Sequence, residues 1–488
     1  MSDQDESDNV VPLAAEDRRQ RARAEAVRTT RDDASMLDSE LRMLPRKNPV
    51  FRQIDAGKWH GDPAHERDDG LPVGCPVVPL GYEDHAYWFL SARQTLFKLV
   101  ENGGKGNIQS LFTPYKNFPI WAWPSFTNTE KDKKAKPVWE VMGRFEVEQT
   151  KEDLMMSCVH VGPYDPMQRV RGRGAWLDTE TGGLVLHLGD RLITPTGERA
   201  CGVYGQHAYP RGPELPPPAD DNAAFGEELP GQVLMKDLLT WNWARPEIDA
   251  RLMLGWTACA MVGGALRWRP YIFTTGDAGS GKTTLVKFAE VVLGGEQALL
   301  HPIDTTESGV AQSLGCDSIP VVLDEIEHKS DSNVSQKMFA MARLAASAGQ
   351  RLRGSADGKP TETKIQSPFM FAGIDMPTAS DADMTRMAVL AISPLAPDQV
   401  RANTLDDMRA ALAGRALHRQ MIDWFRPDPA YQGLPMFEQV LDAFRDGLRD
   451  LAGHDDRGAD TFGYLMAGYW CATEVRVPQA EDVADLVA

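Results

Sequence analysis

The stretch YIFTTGDAGSGKTTL, Tyr271–Leu285, constrains the fold of this chain more than any other part of it. An aromatic and β-branched run leads through glycines into a helix-forming tail, and Gly276, Gly281, Lys282 and Thr283 fit G-x-x-x-x-G-K-[ST]. In that pattern the backbone N–H groups of the turn face inward around phosphate, a lysine reaches the β and γ oxygens, and a hydroxyl ligates Mg²⁺. The expected nucleotide-binding residues are Gly276, Asp277, Ala278, Gly279, Ser280, Gly281, Lys282, Thr283 and Thr284, with ATP and Mg²⁺ as cofactors. The positive end of the following helix adds to the anion site. Such a loop needs a strand before it and a helix after it. The fold class predicted is therefore α/β: a mostly parallel sheet with helices on both faces and the site at the C-terminal strand edges.

Further along, SIPVVLDEIE supplies a buried-strand run, Ile319 to Leu323, that delivers Asp324 and Glu325 at its end. Asp324 is the expected partner of Thr283 on the metal. Glu325 is the expected general base, because phosphoryl transfer to water needs the nucleophile oriented and polarised. A helix is predicted over Val334–Ala348, then a hairpin in GQRLRGSADGKPTETKIQ, whose arms flank Gly354, Asp357-Gly358 and Lys359. Arg351, Arg353, Lys359 and Lys364 make it locally positive and are the candidate contacts to a nucleic-acid backbone. The next strand, SPFMFAGIDMP, is expected beside the Asp324 strand and ends at Asp375. ADMTRM then places Arg386 after a turn, where it suits the γ-phosphate of a neighbouring subunit; within one chain it points away from its own nucleotide. Lys282, Glu325, Arg386 and Asp375 form the candidate catalytic set.

Composition narrows what the site serves. A net charge of −18 excludes a protein coated in basic surface for gripping DNA or anionic lipid, yet leaves room for one basic loop in a channel. The six cysteines are scattered with no C-x-x-C pair, which removes a zinc ribbon and a disulfide framework and fits reduced thiols in a cytoplasmic protein. The opening MSDQDESDNV is acidic and polar, unlike a signal peptide. The longest apolar run, Met253–Leu266, is short for a bilayer and bracketed by Arg251 and Arg267, so it is expected to be a buried helix and no membrane role follows.

The chain divides into a charged flexible arm at 1–50, a mixed α+β domain at 51–210, a Pro- and acid-rich linker at 211–231, the ATPase core with its leading helices at 232–395, and a helical region at 396–488. Within the second of these, HAYWFLSARQTLFKLV and PVWEVMGRFEVEQTKEDLMMSCV have helix-compatible spacing, and GAWLDTETGGLVLHLGDRL has the alternation of a hairpin turning at Gly182-Gly183. Trp121 and Trp123 suit core packing or base stacking. Arg169, Arg171 and Arg173 of RVRGRG suit phosphate contact or a surface turn.

The ordered series GDAGSGKT, IPVVLDE, RLRGSADG, FMFAGIDMP and DADMTRM resembles the helicase portion of phage and prophage primase-helicases. These are AAA+-like P-loop NTPases related to superfamily 3 helicases and to the poxvirus-type primase-helicase. The likeness extends back through RVRGRGAWLD, LVLHLGDRL and YPRGPELP and forward to DDRGADTFGYLMAGYW, covering roughly residues 70–480. It implies a homo-hexamer or similar ring that threads single-stranded DNA during phage or prophage replication in a bacterial host cell. On that pattern Lys282, Thr283, Asp324 and Glu325 form the ATP site, Arg386 is the arginine finger, and the Arg351–Lys359 loop touches DNA.

The chain departs from the family where Asp375 replaces the usual Asn of the polar sensor. An ionised carboxylate only accepts hydrogen bonds and repels phosphate, so Asp375 serves as sensor only if protonated or turned toward a cation. No second acidic constellation precedes residue 231 and no zinc ligands are present, so a helicase with a separate primase partner is expected. Relatives extend beyond MAGYW, so an end at Ala488 suggests a shortened protein; Arg415, Arg419 and Arg457 are alternatives for a second phosphate sensor. Three functions stay open: a translocating helicase, an AAA+ DNA-remodelling or helicase-loading ATPase, and a nucleotide-gated scaffold or defence switch using residues 70–210 for interaction. Glu325 argues against a pure switch, which can dispense with the base.

Overall fold

The computed structural model describes residues 57, 59, 65–131, 139–178, 182–220, 225–302, 305–325, 332–347, 350–354, 360–377, 379–396, 401–402 and 405–487. The expected arm at 1–50 and Lys359 lie outside them. Two compact units result. One takes the described residues up to Val170 with Cys201–Arg211; the other takes Arg171–Ala200 with the described residues from Gly212 onward.

The first unit carries β1 (Val78–Glu83), β2 (Ala86–Leu90) and β3 (Leu96–Val100) as an antiparallel sheet, then α1 (Lys105–Phe112), α2 (Phe118–Ala122), β4 (Pro124–Asn128), β5 (Trp139–Phe145), α3 (Val147–Val161) and α4 (Pro166–Arg169). The helix expected from HAYWFLSARQTLFKLV is thus a hairpin, with Ala86 opposite Val100. Its residues are mostly aromatic or branched, and cross-strand packing of Phe89 against Phe97 outweighs the helical spacing. In PVWEVMGRFEVEQTKEDLMMSCV the first half is likewise a strand, and the helix starts at Val147. Trp123 is buried against Phe112 and Phe118, with its Nε1 donating to Asp153 Oδ2 at 2.6 Å, so it is core and is closed to a base.

In the second unit β6 (Gly174–Leu177), β7 (Leu184–His187), β8 (Arg191–Thr194) and β9 (Gly197–Ala200) form an antiparallel sheet that contains the expected hairpin; β10 (Gly202–Tyr204) and β11 (His207–Tyr209) pair back in the first unit. Then follow α5 (Pro230–Leu238), α6 (Pro246–Met261), β12 (Tyr271–Thr275), α7 (Lys282–Leu293), α8 (Glu307–Leu314), β13 (Val321–Leu323), α9 (Ser332–Ala346), β14 (Gln350–Gly354), β15 (Pro360–Lys364), β16 (Phe369–Gly373), α10 (Asp381–Met384), β17 (Met387–Ala391), α11 (Asp407–Trp424), α12 (Met436–Asp450), α13 (Asp456–Thr473) and α14 (Ala480–Val487).

The centre is a four-stranded sheet in the order β13-β16-β12-β17, parallel throughout. Side chains alternate across it. Ile272, Val322, Met370, Ala372, Ala388 and Leu390 join one core with α6, α7, α11 and α13. Tyr271, Phe273, Val321, Leu323, Phe369 and Phe371 join the other with α8 and α9. Burial on both faces explains why these strands read as unbroken apolar runs. Phe339 of α9 meets Phe371 edge-on at 4.9 Å between ring centres.

Arg269, just ahead of β12, is fully buried without a carboxylate. Its amide donates to Ala346 O at 2.9 Å and its Nε to Ala345 O at 2.6 Å, while Nη1 donates to Gly263 O at 3.2 Å and to Leu266 O. Two elements therefore end on one guanidinium, where terminal carbonyls carry partial negative charge. Burial still pulls its pKa down to about 10.

Helix α6 is apolar nearly all round because α13 presses on it through backbone. A methyl added at Gly255 falls on the Leu465 carbonyl, and one added at Gly468 falls on the Gly255 carbonyl. Backbone cannot rotate aside. Gly255→Ala is therefore expected to lower stability by about 1–3 kcal/mol through overpacking, outweighing the roughly 1 kcal/mol of helix propensity that alanine brings; denaturant unfolding monitored by circular dichroism measures the balance.

Candidate functional site

Parallel register decides which residues meet. Thr275 pairs with Gly373 on one side and Ala391 on the other, while Leu323 pairs with Phe371. The strands thus finish nearly level, and the loops leaving them share one edge: 276–281 from β12, Asp324-Glu325 from β13, Ile374-Asp375 from β16 and Ile392 from β17. Thr275 Oγ1 donates to Ile374 O at 2.7 Å, which ties the two central exits together.

The glycine-rich loop is shaped by what cannot fit beside it. A Cβ on Gly276 would fall on the Ile392 carbonyl and lie 2.8 Å from Ser280 Oγ. Gly279 and Gly281 hold φ of +80° and +94°, conformations side chains rarely adopt. Gly281 caps α7 with no side-chain hydrogen bond to the helix start, so amides of the first turn have no capping partner from that residue. Lys282 folds back into the loop. Its Nζ donates to Gly276 O and, at 3.0 Å, to Asp277 O, which leaves one of three donors over. Ser280 Oγ is buried and has no hydrogen-bond partner. An open helix start, a folded-back ammonium and an orphaned hydroxyl fit a bound anion.

Asp324 is half-buried and Glu325 exposed. Glu325 has φ +58°, a left-handed backbone in a residue with a Cβ, and its amide donates to Asp324 Oδ1 at 2.9 Å. Asp375 is exposed immediately after Ile374. Thr283 is exposed in the first turn of α7. Among the described residues no group of three or more His, Cys, Asp or Glu side chains is arranged to hold a metal.

Arg386 belongs to the other end of the sheet. It precedes Met387, which pairs with Tyr271 at the start of β12, so a strand's length separates it from the loop after Thr275. Its Nη1 donates to Ala382 O at 2.6 Å and its guanidinium lies over Trp268 at 5.5 Å, with Nε buried and unpartnered. Burial and repulsion from Arg457 lower its pKa. Beside it Asp383 accepts from Arg343 Nη1 at 2.6 Å and from Ser380 Oγ at 2.6 Å.

The hairpin expected after α9 is present as β14 and β15, with Arg351 opposite Thr363, Arg353 opposite Thr361 and Lys364 opposite Gln350. Among RVRGRG, Arg173 is committed to Asp317 at 2.6 Å, and the Arg171 guanidinium lies over Trp176 at 5.8 Å. Arg415 donates to Pro217 O at 2.8 Å and Arg419 pairs with Asp423 at 3.6 Å. Gly414 abuts the Val292 carbonyl, so both arginines lie toward the C-terminal end of α7, away from the loop.

Sequence reasoning missed Trp241 and Arg401. The Trp241 Nε1 donates to Gly281 O at 3.2 Å, and Arg401 covers its ring at 3.3 Å. The segment around Trp241 is sewn to the end of β17: Ala244 N donates to Ala391 O and Ser393 N to Asn242 O, both at 2.8 Å. No local pattern joins positions so far apart in the chain.

No protein-family model matches the chain, and no curated protein matches it. Among solved structures, the A form apo structure of the NrS-1 C-terminal region is 14% identical, covers 69% of this chain and 83% of that chain, and superposes with a TM-score of 0.32. Another apo structure of that region is 14% identical over 68% of this chain and 82% of that one, also at 0.32.

The left-handed backbone at Glu325 yields a stability prediction. Glu325→Gly relieves a conformation that Glu325→Ala retains, so the glycine variant is expected to be the more stable of the two by about 1 kcal/mol, glycine's greater unfolded-state freedom trimming the gain. Equilibrium denaturation of the pair measures it.

Proposed function

We propose that the chain is an AAA+-like P-loop ATPase that works as a DNA helicase or translocase in phage or prophage replication, assembled as a ring. The observation that carries this reading is the common edge: a glycine-rich loop, an Asp-Glu pair and a third carboxylate all follow parallel strands ending within two residues of one another. In this reading the loop amides and Lys282 bind the triphosphate, replacing the carbonyls on which Lys282 now rests. Thr283 and Asp324 would hold Mg²⁺, which when bound offsets phosphate charge and organises the oxygens for displacement. Glu325 accepts the proton of the attacking water, and its exposure beside Asp324 suits that task.

Arg386 sits too far from its own loop to reach the same nucleotide. In a rotationally related assembly Arg386 would instead reach the loop of the adjacent subunit, and head-to-tail contacts that close give a ring. The β14–β15 hairpin, with Arg351, Arg353 and Lys364 on its arms, would meet the phosphates of single-stranded DNA without reading sequence. A carboxylate at the place of Asp375 suits a cation or water more than the γ-phosphate itself. A separate primase and a cytoplasmic place of action belong to the same proposal.

Three measurements decide it. Lys282→Ala is expected to lose ATP binding in calorimetric titration, whereas Glu325→Gln keeps binding and assembly and loses turnover by about 10²-fold or more, the usual range for a general base. Wild-type turnover in Glu325→Gln would place the base elsewhere. Arg351→Ala with Arg353→Ala is expected to cut single-stranded-DNA stimulation while basal hydrolysis persists; unchanged DNA binding would remove the hairpin from the interface. On a forked duplex, displacement of the strand favours the helicase. DNA-stimulated hydrolysis without displacement favours a remodelling or loading ATPase, and tightly held, unhydrolysed ATP without DNA stimulation favours a switch.

A further inference from the structure

We propose that Arg401 is a positioning residue for the glycine-rich loop: through Trp241 it holds the Gly281–Lys282 peptide so that the Lys282 amide faces the phosphate. This rests on the nucleotide-binding reading above.

The chain of contacts is short and each link is directional. Arg401 Nη2 donates to Asp237 Oδ2 at 2.8 Å and its Nε donates to Thr240 Oγ1 at 2.8 Å. Asp237 is buried in the last turn of α5, so these bonds fix the guanidinium plane against a rigid element. That plane covers one face of Trp241 at 3.3 Å, while Phe288 of α7 meets the indole edge-on at 5.6 Å. A flat cation stacked on an indole is attracted by the ring's negative face, and arginine does this better than a point-like ammonium. At 4% exposure Trp241 offers no face to a nucleobase; its one directed polar atom is Nε1.

That atom donates to Gly281 O at 3.2 Å, and the same carbonyl accepts the Leu285 amide at 2.9 Å. Two donors occupy both lone pairs and fix the carbonyl direction. Because a trans peptide is planar, the Lys282 N–H must then point the opposite way, out of the helix start. Gly281 has the backbone freedom to turn this peptide over, and its φ of +94° gives no side-chain barrier against doing so. The Leu285 amide restrains it from within the helix, and Trp241 adds the second restraint from outside. Arg401 follows the edge strand β17, so the clamp also ties the chain leading into α11 to the phosphate loop.

The test uses the full chain. Wild type, Arg401→Ala, Trp241→Phe and the double variant are titrated with a fluorescent ATP analogue and Mg²⁺, alongside steady-state KM and kcat. Trp241→Phe keeps a ring to stack on and removes the donor. Each single variant is expected to weaken nucleotide binding about tenfold, the worth of a fixed hydrogen bond of about 1.4 kcal/mol. The double variant is expected to bind no worse than the weaker single, since both break one clamp. The loss falls on Kd and KM, with kcat at saturation within about twofold, a split that general loosening of the fold does not give. If Arg401→Ala does not fold, Arg401→Lys takes its place with the same expectation, because it keeps the charge for Asp237 and loses the planar stack. Unchanged affinity in the singles, or losses that add in the double, overturn the clamp while nucleotide binding by the wild type stands. A wild type that binds no nucleotide overturns both.

Discussion

The hydrogen bonds that seat β16 between β12 and β13 set everything at the candidate site. Pairing of Thr275 with Gly373 and of Leu323 with Phe371 brings three strand exits to one edge, within two residues of each other, and a slip of one residue would turn every inward side chain to the opposite face. The two cores resist such a slip, because Met370 and Ala372 face one set of helices and Phe369 and Phe371 the other. The chemistry of the edge is thus held in place by packing in the layer beneath it.

Charge is distributed sparingly around this arrangement. In a chain of net charge −18 many arginines are spent on internal carboxylates: Arg173 on Asp317, Arg343 on Asp383, Arg401 on Asp237 and Arg445 on Asp460. Each such pair stiffens a junction and removes a cation from solvent. An anion at the strand edge must then rely on backbone amides, the helix start and Lys282, which act at short range and suffer little from the distant negative field. Arg386 contrasts with these paired residues: it retains an unpartnered Nε and stands near Arg343 and Arg457, with Tyr271 and Asp383 acting against their repulsion.

Much of this was legible in the sequence because it is local. The loop is written in contiguous residues whose glycines are required by positive φ and close backbone approach. The strands ending at Leu323 and Gly373 appear as short apolar runs because a parallel sheet buries both faces. Residues 86–100 were misread for the opposite reason. Their aromatic spacing permits a helix, and only pairing of Phe89 with Phe97 across a turn decides for strands. Arg401 over Trp241 and Arg173 on Asp317 left no trace in the sequence, since each depends on distant segments being folded together first.

Arg269 carries a mechanical consequence. Its guanidinium holds the Ala345 carbonyl and its amide the Ala346 carbonyl at the end of α9, while its own backbone leads through Pro270 into β12 and the glycine-rich loop. A shift at the end of α9 is therefore passed to the start of β12 through one side chain and one peptide group.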